Sequence, residues 1–175
     1  MIHGDLDELG ALALSALVRD LARDRHAVTL GLRRDGNERG AEDVLAWQTG
    51  FPGPMSFARG HPREELGAAA LLERGDVDAA LVVASDPLEH LAPAAADRLR
   101  ELPSVVVDAR ATATSQAARV AFAVAADGIE VPGTVHRMDG VPVPLRAPLA
   151  AEPGRAGPSI EDVLAAIERR LRVFS

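Results

Sequence analysis

The sequence predicts an α/β fold of Rossmann-like type, a mainly parallel sheet flanked by helices. Three observations carry that expectation. First, short apolar runs recur at Asp78–Val83, Ser104–Val107 and Val120–Ala125, with helical crossovers between them, the spacing of right-handed βαβ units. Second, these runs are continuously apolar rather than alternating, the pattern of strands covered on both faces. Third, the 175 residues, 47% hydrophobic and 26% charged, suit one domain on a prior of roughly 100–200 residues each, with enough apolar surface for a core. Residues 1–175 are accordingly read as a single domain.

Each element has a local reason. Residues about 6–25 place Leu6, Leu9, Leu12, Ala13, Ala16, Leu17 and Leu21 at helical spacing, which predicts an amphipathic helix with those positions inward. Asp5 is the expected N-cap, with Glu8 three residues on. Ala27–Leu32 reads as a short strand, Arg33–Gly40 as a polar turn and Gly40–Gln48 as one or two helical turns. Thr49–Arg63 contains three prolines and three glycines, which excludes a regular helix or a central strand. So long a loop is usually functional or an interaction segment.

Glu64–Arg74 reads as a helix closed by Gly75, and Ser85-Asp86-Pro87 as a turn after the first sheet strand. A helix over about 91–101 stops before Pro103, and Ser104–Val107 ends at Asp108. Thr112–Arg119 is a short helical or irregular crossing. Asp127–Arg146 is rich in glycine and proline with an extended piece at its end, and Ala147–Pro158 is a linker. Ser159–Arg172 is an amphipathic helix, with Ser159 as cap, Asp162 at the capping-box position, and Ile160, Val163, Leu164, Ile167 and Leu171 inward.

Composition removes several chemistries. The chain has no cysteine, so it supplies no disulfide, thiol nucleophile, cysteine zinc site or thiolate-held iron–sulfur cluster. All 19 basic residues are arginine, so a lysine Schiff base and a P-loop lysine are absent as well. A net charge of −7 with 3% aromatics is a poor basis for nucleic-acid binding. No apolar run approaches the ~20 residues that span a bilayer. No signal-peptide pattern is legible either, so the expected location is the cytoplasm.

Ligands of open α/β sheets bind beyond the carboxyl ends of the strands. Two such ends are legible: Ser85 and Asp86 after the first strand, and Asp108 after the second, followed by Thr112 and Thr114. Carboxylates there can accept from a ribose or a guanine edge, and hydroxyls and amides can hold phosphate. The same residues read equally as a turn starter and a helix cap. The segment Gly128–Val143 gathers Glu130, Gly133, Thr134, Arg137, Met138, Asp139 and Gly140. Arg137 can clamp a phosphate or pair with Asp139 or Glu130. No GxGxxG or GxSxG pattern is present, and the five histidines show no metal-ligand spacing. Trp47, the single tryptophan, reads as an anchor of the core or of a subunit contact.

At these residues a resemblance emerges. Asn37–Ala41 (NERGA), Trp47–Pro52 (WQTGFP), Arg59–Arg63 (RGHPR), Leu72–Pro87 (LERGDVDAALVVASDP), Pro103–Asp108 (PSVVVD), Thr112–Thr114 and Gly128–Val141 (GIEVPGTVHRMDGV) resemble, in order and spacing, the C-terminal half of the B subunit of formylmethanofuran dehydrogenase. They also resemble the related B subunit of the bacterial formyltransferase/hydrolase complex. The likeness covers about residues 35–146.

This resemblance implies the molybdopterin oxidoreductase superfamily and is consistent with the α/β reading. Redox members hold a tungsten or molybdenum bis-pterin guanine dinucleotide near an iron–sulfur cluster and reduce carbon dioxide to formate. Bacterial hydrolase members move and hydrolyse a formyl group without redox, in methylotrophic one-carbon metabolism. The resemblance implies Ser85, Asp86, Asp108, Thr112 and Thr114 at a guanine-dinucleotide site, with Glu130, Gly133 and Thr134 lining the cofactor cleft. The metal-ligating and cluster-binding cysteines have no counterpart here, and the stretch ahead of residue 25 is too short for an N-terminal half. The expectation is therefore a non-redox, structural subunit with no catalytic residue and no metal of its own. At most it keeps a vestigial molybdopterin guanine dinucleotide site. Its partners are the other subunits of the complex, with neither nucleic acid nor membrane. Two alternatives stay open: a truncated pterin-binding redox subunit, and a stand-alone Rossmann-like nucleotide binder.

Overall fold

A computed structural model describes residues 2–3, 6–32, 37–58, 61–62, 67–147 and 157–174. The chain gathers into two compact units, Met1–Pro52 with Val135–Val143, and Gly53–Thr134 with Pro144–Ser175.

In the first unit, β1 (Ile2–His3) runs parallel to β2 (Leu30–Gly31), so the strand expected over Ala27–Leu32 shortens to two residues. Between them lies α1 (Glu8–Leu21), whose N-cap is Asp7, accepting from the Gly10 amide at 2.8 Å. The expected cap, Asp5, lies outside the described residues. The inward face also differs from the expectation. Leu9 and Leu12 are 75% and 61% exposed, while Gly10, Leu14 and Val18, four apart, are half-buried. Apolar residues wrap most of this helix, so periodicity identifies the helix without choosing which stripe packs.

The second helix, α2 (Glu38–Thr49), starts at Asn37 and ends at Gly50 in the left-handed region. Of the polar turn expected before it, residues 33–36 lie outside the described residues. Trp47 is 83% exposed, so of its two expected roles the core is ruled out by its own surface.

In the second unit, the proline-rich loop carries a two-residue antiparallel pair, β3 (Met55–Ser56) with β4 (His61–Pro62). Proline tolerates such an isolated pairing where it would break a central strand. Next, α3 (Ala68–Arg74) closes at Gly75, φ +71, whose amide bonds back to the Leu71 and Leu72 carbonyls, the left-handed stop expected of that glycine. Residues 64–66 of the expected helix are outside the described ones.

The sheet follows as β5 (Ala80–Val83), a 3-10 turn (Pro87–Glu89), α4 (Pro93–Glu101), β6 (Ser104–Asp108), α5 (Ala113–Ala117) and β7 (Val120–Ala123). All three strands are parallel, in the order β5-β6-β7. Leu72, Ala95, Leu99 and Leu102 form the core against one face, with Val77, Ala80, Leu88 and Leu91 packed around them. Val107 and Val124 face α6 (Ile160–Phe174) through Val163, Ile160 and Ile167. The Ser159–Asp162 capping box of α6 is present: Asp162 donates its amide to Ser159 Oγ (3.1 Å) and accepts from the Ser159 amide (3.0 Å). Before α6, β8 (Gly133–His136) and β9 (Pro142–Leu145) pair with each other, their Val135–Val143 stretch belonging to the first unit. Of the expected linker, residues 148–156 lie outside the described residues.

One expectation needs correction. Continuous apolarity implied strands covered on both faces. That holds for β6, but all four residues of β7 are exposed. Among the described residues β7 is the last strand of a three-stranded sheet, with a strand neighbour on one side only.

The packing assigns different weights to two large side chains. Leu99→Ala empties a 5%-exposed site and should cost about 2–5 kcal/mol. Trp47→Ala at its exposed site should stay within about 0.5 kcal/mol. Urea unfolding of the purified chain measures both.

Candidate functional site

The carboxyl ends of β5 and β6 place five of the expected residues. After Val83, Ala84 takes φ +49, a left-handed conformation costing a non-glycine residue about 1–2 kcal/mol. Its amide still extends the ladder, donating to the Val107 carbonyl at 2.9 Å. The turn delivers exposed Ser85 and then Asp86 to the first turn of α5. Asp86 Oδ1 accepts from the Thr114 amide (3.0 Å) and hydroxyl (2.5 Å), and Oδ2 accepts from the Ala113 amide (3.1 Å). Thr114, 2% exposed, satisfies its hydroxyl in both directions, because Oγ1 also accepts from the Leu88 amide at 3.1 Å. Thr112 caps α5 in a reciprocal box with Ser115.

The Thr114 hydroxyl bond holds the Asp86 carboxyl below the ordinary 3.8, assisted by the two amides and the His90 charge and opposed by partial burial. Asp108, 5% exposed, accepts from the Arg110 amide through Oδ1 at 2.8 Å. Its Oδ2 is buried without a partner among the described residues.

Gly133 and Thr134 stand elsewhere. They line an open cleft of about 1030 Å³ between the chain after β7 and the start of α6. Asp127, Glu161, Asp162 and Glu168 line the same cleft, so its wall is acidic. The Ser159 amide and hydroxyl hold the Asp162 carboxyl below its usual value. A Cβ on Gly133 would stand 3.0 Å from Asp127 Cβ, so glycine permits this approach. Glu130 does not line the cleft; its Oε2 accepts from the Ala126 amide at 2.9 Å. Of the eight expected residues, five thus stand at the strand ends, two line the acidic cleft, and Glu130 does neither; no strand-end residue lines the cleft. Of the two roles open to Arg137, the structure takes the pairing, with Asp139.

Sequence reasoning missed one junction. In the first unit Asn37 Oδ1 accepts from the His136 amide at 2.8 Å, and a Cβ on Gly40 would lie 2.7 Å from His136 Nδ1. The NERGA and VHRMDG stretches therefore pack on each other. The available signal was an asparagine-glycine pair flanking a helix start, which did not name its distant partner.

These residues do not fit a metal centre. The chain has no cysteine, and among the described residues no group of three or more histidines and carboxylates is placed to hold a metal ion. They fit a dinucleotide poorly as well. Asp86 is engaged by its own chain, and an acidic cleft repels phosphate.

Relatives of known description share this chain's sequence and fold, although no protein-family model matches it. It is 40% identical over 133 residues to the B subunit of the tungsten-containing formylmethanofuran dehydrogenase 2 of Methanocaldococcus jannaschii, covering 74% of this chain and 31% of that protein. A second relative of the same description, from Methanococcus maripaludis, is 37% identical over 126 residues, covering 70% and 29%. The chain is homologous to part of the formylmethanofuran dehydrogenase B subunit. It spans under a third of the length of these relatives. The fold also matches, with TM-score 0.77 and 27% identity, a crystal structure of the formyltransferase/hydrolase complex of Methylorubrum extorquens with methylofuran. That match covers 97% of this chain and 48% of the other.

The Asp86 anchor should be measurable. Thr114→Val and Asp86→Ala should each cost about 1–3 kcal/mol at neutral pH. Because the folded state keeps Asp86 charged below 3.8, its contribution is present above that pH and fades as the pH falls through the depressed folded value. Asp86→Asn should flatten this part of the acid limb, seen by urea unfolding at a series of pH values.

Proposed function

We propose that the chain is a B-subunit-like component of a formylmethanofuran dehydrogenase-type formyltransferase/hydrolase complex in one-carbon metabolism, acting in assembly rather than redox. The observation that carries this reading is 40% identity across 74% of the chain in a sequence without a cysteine. The relatives are described as tungsten-containing; this chain offers no thiolate for a metal or a cluster. Its contribution is a folded surface, held together by apolar cores and by the Asp86–Thr114 link. Partners are the other subunits of the complex, in the cytoplasm. No described helix is long and apolar enough to cross a membrane. Trp47, 83% exposed, is an aromatic of the kind that anchors subunit contacts.

A second reading rests on Asp108, whose buried Oδ2 lacks a partner among the described residues. A vestigial molybdopterin guanine dinucleotide site at Ser85, Asp86, Asp108, Thr112 and Thr114, the positions that the resemblance implies together with Glu130, Gly133 and Thr134, would give that oxygen a donor.

Affinity-tagged chain, purified from its own host, should bring the formyltransferase and hydrolase subunits in fixed ratio, and Trp47→Ala should lower their recovery several-fold. A partnerless monomer overturns the assembly reading. Pterin and metal analysis of the same preparation separates the two readings: tungsten, molybdenum or pterin dependent on Asp108 favours the second.

A further inference from the structure

Three aspartate–glycine pairs occur in the chain: Asp35–Gly36, Asp127–Gly128 and Asp139–Gly140. The first lies outside the described residues. An aspartate before glycine can react with its own backbone, because no Cβ on the next residue hinders that residue's amide nitrogen. The nitrogen attacks the side-chain carboxyl carbon. A Cγ–N bond forms, a C–O bond breaks, and the oxygen leaves as water with the amide proton. Water then opens the five-membered imide at either carbonyl. One opening restores aspartate; the other leaves the main chain running through Cβ, with a free α-carboxylate. Water is the sole co-reactant and nothing is oxidised or reduced. The first step starts from the neutral acid, since a carboxylate has no hydroxyl to lose.

The two described pairs are alike in backbone. Both glycines have positive φ, +72 at Gly128 and +82 at Gly140. Each glycine amide is held in a turn: Gly128 donates to the Val131 carbonyl at 2.7 Å, and Gly140 to the Arg137 carbonyl at 2.8 Å. Both aspartates are exposed. The amides therefore do not separate the two sites; the carboxyls do. Arg137 grips Asp139 on both oxygens, with Nε donating to Oδ1 at 3.1 Å and a terminal guanidinium nitrogen donating to Oδ2. That grip holds the Asp139 carboxyl below the ordinary 3.8, with help from the Val141 amide, and so keeps it in the unreactive ionised form. Asp127 has no such clamp. Among the described residues no hydrogen bond or ion pair holds its carboxyl, and it stands on the wall of the open cleft.

We propose that Asp127–Gly128 is a site of spontaneous aspartyl isomerisation, and that Arg137 guards Asp139–Gly140 against the same reaction. The change at Asp127 alters the structure around it. In the imide the Gly128 nitrogen carries no hydrogen, so its bond to Val131 is lost. A Cβ on Gly133 would already stand 3.0 Å from Asp127 Cβ, so a main chain lengthened by one carbon has no slack on that side. The cleft wall that Asp127, Val131 and Gly133 share shifts with it.

The test is to hold the purified full chain for several weeks at 37 °C in mildly acidic buffer, folded and, in parallel, in guanidinium chloride. Electron-transfer fragmentation of its peptides distinguishes the two aspartyl linkages. In the folded chain the isomerised form at Asp127 should exceed that at Asp139 several-fold. In the unfolded chain, where Arg137 no longer grips its partner, the two should form at similar rates. Arg137→Ala should raise the product at Asp139 several-fold and leave that at Asp127 unchanged, and Asp127→Glu should abolish the product at that position. No product at Asp127, equal amounts at both sites of the folded chain, the folded ratio persisting in denaturant, or an Asp139 product indifferent to Arg137→Ala would each overturn the proposal. The comparison of folded with unfolded parent needs no variant, so it stands even if a substitution disturbs the fold.

Discussion

Val106 and Val107 are consecutive residues of β6, pointing to opposite faces of the sheet, and both are fully buried. Everything else in the second unit is arranged around that fact. One face needs the Leu72, Ala95, Leu99 and Leu102 cluster, and the other needs Val163 and the inward side of α6. Since β6 is the middle strand, its two neighbours take their register from it. Full burial of two adjacent valines is attainable only with helices on both sides, which is why crossovers and sheet are interdependent here.

The strand ends depend on the same arrangement. Parallel register brings the ends of β5 and β6 level, so a carboxylate just past β5 can reach the amides that begin α5. Asp86 does so, accepting three hydrogen bonds from Ala113 and Thr114. In open α/β sheets generally, such an end is where ligands bind. Here that carboxylate closes a loop of its own chain, and Ala84 bears backbone strain to aim it.

Much of this was legible in the sequence, for identifiable reasons. Three β-branched or apolar runs with helical spacers are a strong signature, and each became a strand of the sheet. Gly75 and the Ser159–Asp162 pair acted locally as written, because caps depend on residues within one turn. The inward side of α1 was not legible, since leucines surround it and the choice belongs to tertiary contact. Nor was the exposure of β7, because an apolar strand reads alike whether or not something lies over it. At the candidate site the pairs were legible by type but not by distance. Nothing local links Asp86 to Thr114, or Asn37 to His136, and the acidic wall along α6 emerges only once that helix is placed beside Gly133.

Trp47 carries one more consequence. It is the single indole of a chain that has no tyrosine, and it faces solvent. The near-ultraviolet emission of this protein therefore comes from one water-bathed ring, red-shifted at rest. Anything that settles over α2 would move that spectrum to shorter wavelength, an intrinsic optical signal of assembly that needs no dye.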